Sequence, residues 1–119
     1  MSDELALTAR LSFTKGGASV TRAVNITVDV TGDSYSNDVQ SITTAADQVL
    51  AQGAALGTPG YVIVKNLDDT NFVTLGIEKT SWAIKIKAGE VSMWRHNGAT
   101  IPIIADTDAC LVEYIIIED

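Results

Sequence analysis

The sequence predicts an all-β fold: a single-domain antiparallel β-sandwich or jelly-roll-like barrel of about eight to ten short strands. Three observations carry that expectation. Apolar residues recur at every second position in most segments, the period of a strand with one buried and one wet face. Glycine- and asparagine-rich breaks separate those segments at the spacing of sheet proteins. The 119 residues, 46% of them hydrophobic, are enough for one core without metal or disulfide support, so residues 1–119 read as one sandwich.

The first segment places Leu5, Leu7, Ala9, Leu11 and Phe13 on one face, with Thr8, Arg10 and Ser12 between them. Lys15-Gly16-Gly17-Ala18 then breaks it as a hairpin loop would. Val20, Val24, Ile26, Val28 and Val30 form the next row, interrupted by Arg22. Residues 35–56 allow two readings. Thr44-Ala45-Ala46-Asp47 resembles a capped helix start, and the alanines to Leu56 tolerate a helix. Gly53 and the β-prone Tyr35, Val39, Ile42 and Thr43 favour two strands around a turn near Ala45-Ala46, the preferred expectation.

Gly57-Thr58-Pro59-Gly60 reads as a turn, and Tyr61 to Leu67 as a strand covered on both faces. Asp68 to Asn71 makes a loop, and Val73, Leu75 and Ile77 form the return row. Trp82, Ile84 and Ile86 alternate with Lys85 and Lys87, so Trp82 is expected in the core. Ala88-Gly89-Glu90 turns into Val91 to His96. Asn97-Gly98 is a strong hairpin signal because both residues accept positive φ, with Ile101 to Ala105 returning and Pro102 marking an edge. Cys110 to Ile117 is apolar apart from Glu113.

The net charge of −7 argues against a phosphate backbone or an anionic membrane as partner. A single cysteine, Cys110, excludes an intrachain disulfide. The opening MSDELALTARLS lacks the basic and apolar regions of a signal peptide, so synthesis in a cytoplasm is expected.

Between residue 57 and the end, one series of motifs occurs in order. It runs Gly57-Thr58-Pro59-Gly60-Tyr61, Val64-Lys65-Asn66-Leu67-Asp68, Thr70-Asn71-Phe72-Val73, Ala88-Gly89-Glu90-Val91, Ala105-Asp106-Thr107 and Glu113-Tyr114. The series resembles small β-sandwich structural proteins of tailed bacteriophages. That resemblance implies a virion location, on the capsid surface or in the tail.

Candidate chemistry is sparse. Asp68, Asp69 and Asn71 crowd one loop, and Asp106 and Asp108 another. Such loops could offer oxygens to calcium, which takes about six to eight, but no calcium-loop spacing is present and turn formation explains them. His96 reads as a strand-end surface residue, Cys110 as a buried thiol, and Glu90 with Glu113 as an unconvincing carboxylate pair. No catalytic, cofactor or metal residues are assigned, and no enzyme activity is expected.

Surfaces are more informative. Trp94 alternates with Ser92 and His96, a polar face where a partner could cover it. The last strand is apolar on both faces, and its row Val112, Tyr114 and Ile116 needs a cover. Another subunit would provide one; the 35–56 segment of the same chain is the alternative. The N-terminal flank Ser2 to Leu7, with Leu5 and Leu7 foremost, is a further contact candidate.

The expectation is therefore a non-enzymatic phage virion protein, a capsid decoration or cement protein on the major capsid protein, with a homotrimer favoured. It would need no cofactor and bind neither nucleic acid nor membrane. The rival is a tail, baseplate or fibre module, carbohydrate-binding through Trp94 and the acidic loops.

Overall fold

The computed structural model describes residues 4–119, so Ser2 and Asp3 of the N-terminal flank lie outside the described residues. The fold is all-β, with nine strands and no helix among the described residues. The strands form three antiparallel sheets, in orders β1-β2, β3-β9-β4-β7 and β6-β5-β8. The chain forms two compact units, one running to Thr31 and the other Gly32–Asp119.

The first unit is a hairpin of β1 (Leu5–Lys15) and β2 (Ala18–Val28). Its loop is Gly16-Gly17 alone, with φ of 58° and 85°. Two successive positive φ values match the right-handed twist of paired strands, and glycine adopts them without steric cost. The register runs unbroken from Lys15↔Ala18 to Leu5↔Val28. On the wet face Thr8 Oγ1 donates to Asn25 Oδ1 (2.8 Å), and Ser12 Oγ lies 3.1 Å from Thr21 Oγ1. At the open end the Glu4 carboxylate accepts the Val30 N–H (3.0 Å).

The second unit is a two-sheet β-sandwich. Its larger sheet contains β3 (Tyr35–Ile42), β9 (Cys110–Glu118), β4 (Pro59–Asn66) and β7 (Val91–Arg95). Its smaller sheet contains β6 (Ser81–Ile86), β5 (Val73–Glu78) and β8 (Ile103–Ala105). The core joins both: Ile42, Val62, Val64, Val112 and Ile116 from the larger sheet, Val73, Leu75, Ile86 and Ile103 from the smaller. Each of these nine is at most 1% exposed, so the packing alone accounts for much of the unit's stability, at about 1.5–3 kcal/mol per fully buried side chain.

The 35–56 segment supplies one strand, not two. After Ile42 the chain is irregular, with one isolated bridge, Val49↔Pro102. The Gln48 side chain takes the place of a ladder, donating to the Thr43 and Ala45 carbonyls and accepting from the Thr43 N–H. The helix reading fails as well: residues 44–56 contain no helical turn.

Two expected turns also differ. Pro59 and Gly60 already belong to β4, at a register shift against β9. Asn97-Gly98 closes no hairpin, because β7 pairs with β4 while β8 pairs with β5. The chain crosses there from one sheet to the other, and Gly98 is not among the positive-φ glycines. The Asp68–Asn71 loop is held as its composition suggests. Asp68 Oδ2 accepts the Thr70 and Asn71 N–H groups, and buried Asn66 accepts the Asp68 N–H.

Candidate assembly surface

The hairpin's pairing puts Leu5, Leu7, Ala9, Leu11 and Phe13 opposite Val28, Ile26, Val24, Arg22 and Val20. Directly opposed residues share a face. One face of this ribbon is thus apolar but for Arg22 and, at the loop end, Lys15, as the alternation of both strands dictates. It is also open: Leu11 is 64% exposed, Val20 57% and Phe13 51%. Leu5 and Leu7, at the open end, are half-buried. A two-stranded ribbon has no second layer of its own and is marginally stable alone.

A second open face lies on the larger sheet of the sandwich. The register aligns Asn37, Ile115, Ile63 and Met93 in one row across β3, β9, β4 and β7. The next row is Val39, Glu113, Lys65 and Val91. Leu111 and Leu67 continue it, joined by the Leu67 N–H on the Leu111 carbonyl (2.8 Å). Val91 is 58% exposed, and Val39, Leu111 and Leu67 are exposed too. Ile63, Ile115, Lys65 and Glu113 line a shallow depression of about 270 Å³. Scattered exposed apolar residues are ordinary, but here they cluster around the Lys65–Glu113 pair, and clustered apolar surface marks contact.

This face corrects the expectation for the last strand. Val112, Tyr114 and Ile116 are buried in the chain's own core, and the outward row is Leu111, Glu113 and Ile115. The cover is partly the 35–56 segment. Ile42 and Leu50 are fully buried, and the Tyr114 hydroxyl donates to the Ala51 carbonyl (2.8 Å). Burial first, and Asp38 second, raise the pKa of that hydroxyl. Glu113 was the available signal: the row that carries a carboxylate is the row that faces water.

Trp94 is corrected as well. It shares the inward side of β7 with Ser92, half-buried against the core, while Val91, Met93 and Arg95 point out. Its indole N–H donates to His96 Nδ1 (3.1 Å), whose Nε2 lies 2.7 Å from the Thr100 carbonyl. Indole is a donor only, so Nδ1 accepts and the ring hydrogen sits on Nε2 toward Thr100. His96 is buried, not a surface residue, and ties the crossover after β7. Trp94 is thus half-buried, with its indole N–H already bonded within the chain.

The remaining polar residues act within their own turns. Glu90 accepts the Lys87 N–H in the turn before β7, where Gly89 has φ of 77°. Asp106 accepts from the Thr107 hydroxyl, and Asp108 from the Ala109 N–H. Burial pushes the Cys110 thiol pKa up, with Asp68, Asp108 and Asp106 adding to it, which keeps the thiolate scarce. Among the described residues, no three or more of His, Cys, Asp and Glu gather as a metal site.

No family model, no curated protein and no solved structure matches this chain.

Proposed function

We propose that this chain is a non-enzymatic structural protein of a tailed-phage virion. In this reading it is a decoration (cement) protein that binds the assembled capsid shell as a trimer. The observation that carries the reading is the apolar face of the β1–β2 hairpin, open along both strands. A ribbon that exposes Leu11, Phe13, Val20 and Ile26 gains most of its stabilisation only when something covers it. The motif series from Gly57 to Tyr114 gives the virion setting, by resemblance.

The mechanism is mass action. A ligand that binds the assembled shell and not the free subunits stabilises the shell by RT ln(1 + [L]/Kd). Repeated copies on a lattice of identical sites add those increments without chemistry. The test mixes the purified chain with shells of the phage that encodes it, stripped of this protein. Density on the outer surface at local threefolds and a higher shell melting temperature are expected. Shells that melt unchanged and show no added density overturn the decoration role.

A further inference from the structure

The chain carries two open faces rich in apolar residues, and we propose that they fit each other between copies. The hairpin of one copy packs its apolar face on the outer face of the larger sheet of a second copy, with Arg22 set against Glu113. This rests on the assembly reading above and names the contact that would build its oligomer.

Dimensions support the fit. Eleven paired residues per strand make a ribbon roughly 35 Å long and roughly 10 Å wide. The acceptor sheet is four strands across, about 19 Å, and its central strand β9 of nine residues spans about 30 Å. The ribbon therefore lies within the width of the sheet and covers most of its length. In a closed ring each chain donates one hairpin and accepts another. One such contact covers roughly 350 Å² on each side, about 700 Å² in total, a small interface that relies on ring closure and charge to hold it.

Charge supports the pairing more directly. The paired strands, residues 5–28, hold three cations, Arg10, Lys15 and Arg22, and no acid, with Glu4 and Asp29 just beyond them at the open end. Residues 32–119 hold five Lys and Arg against twelve Asp and Glu. Acids flank the acceptor strands in sequence, Asp68 and Asp69 after Leu67, Asp106 and Asp108 before Leu111 and Glu90 before Val91, while Lys65 and Arg95 stand on the face itself. Arg22 and, at the loop end, Lys15 are the charges on the hairpin's apolar face, and Glu113, opposite Lys65 on β4, is the one carboxylate among the outward residues of β9 between Leu111 and Ile117. A basic ribbon on a net-acidic unit is steered and registered by those charges. A hairpin meeting a second hairpin would instead bring like charges together.

The contact is heterologous, because the two surfaces differ, and that makes it testable by complementation. Full-length Phe13→Lys/Val20→Lys (hairpin variant) and Ile63→Lys/Val91→Lys (sheet variant) are measured by sedimentation equilibrium, alone and mixed. The wild-type chain is expected to be oligomeric and each variant at least tenfold weaker in self-association. The equimolar mixture is expected to form a heterodimer, since one intact hairpin and one intact sheet face remain. Emission from Trp82 and Trp94 checks that the sandwich is folded in both. Glu113→Arg is expected to weaken association, and Arg22→Glu in the same chain to restore it. A monomeric wild type, a hairpin variant that still associates, or folded variants that stay monomeric when mixed would each overturn the proposal. Shell binding is scored separately, so loss of the virion role and loss of this contact give different results.

Discussion

Asn66 offers a direct measure of how the loop beside the acceptor face is built. Its side chain is fully buried and makes three bonds. The amide donates to the Asn71 carbonyl (2.9 Å) and the Ile86 carbonyl (3.1 Å), and its oxygen accepts the Asp68 N–H (2.9 Å). Asn66→Leu keeps the volume and removes all three. Each group left without a partner costs about 1–3 kcal/mol when buried and less when water reaches it. The Ile86 carbonyl bond is buried and the other two are part-buried, which gives about 3–5 kcal/mol in total. That is a large share of the roughly 5–15 kcal/mol by which a domain is stable. Urea unfolding followed by tryptophan emission reads it as a lower midpoint at unchanged slope. A loss below about 1 kcal/mol would refute the reasoning, because it would mean that water or a backbone shift satisfies the freed groups.

Two further outcomes follow from single positions. A Cβ on Gly76 would stand 1.8 Å from the Ser81 carbonyl oxygen, which is backbone and cannot swing aside. Gly76→Ala should cost about 3 kcal/mol or more and shift the β5–β6 register, seen as a lower melting temperature in near-ultraviolet circular dichroism. The Glu118 carboxylate is held below the ordinary Glu pKa by the Gly57 N–H first, then by those of Asp33 and Ser34. A depressed folded pKa means its contribution is complete above the ordinary value of 4.5 and fades as pH falls through the folded one. Glu118→Gln should therefore lower stability at neutral pH and flatten the acid limb of a pH–stability curve, whereas parallel curves would exclude the carboxylate as the source.

Much of the fold was legible because alternation is a local property. The hairpin from Leu5 to Val28, the return strand from Val73 and the Trp82–Ile86 strand each show a period of two with one polar face, and all formed as expected. Where both rows of a strand are apolar, periodicity cannot choose the buried one. In β9 the choice fell to long-range partners, Ile42 and Leu50 and the opposing sheet, which buried Val112, Tyr114 and Ile116. The Asn97-Gly98 signal failed for a related reason. A turn motif reports a preferred local bend, but His96 and the pairing of β8 with β5 decide which sheet the chain enters next. The surfaces proposed for assembly were present in the sequence as Leu11, Phe13, Val20 and Ile63. Their exposure in the fold, which no local pattern encodes, distinguishes them from core.

The position of β9 has a consequence for biogenesis. This strand, Cys110–Glu118, lies between β3 and β4, which do not pair with each other. A ribosome that has released everything up to Ala109 therefore exposes two unzipped edges, with Val62 and Val64 lacking Ile116 and Tyr114. The β1–β2 ribbon needs only its own two-residue loop and can zip while translation continues. Nascent chains stalled before Cys110 should accordingly be caught by holdase chaperones, whereas release of the next nine residues lets the sandwich snap shut in one late, cooperative step.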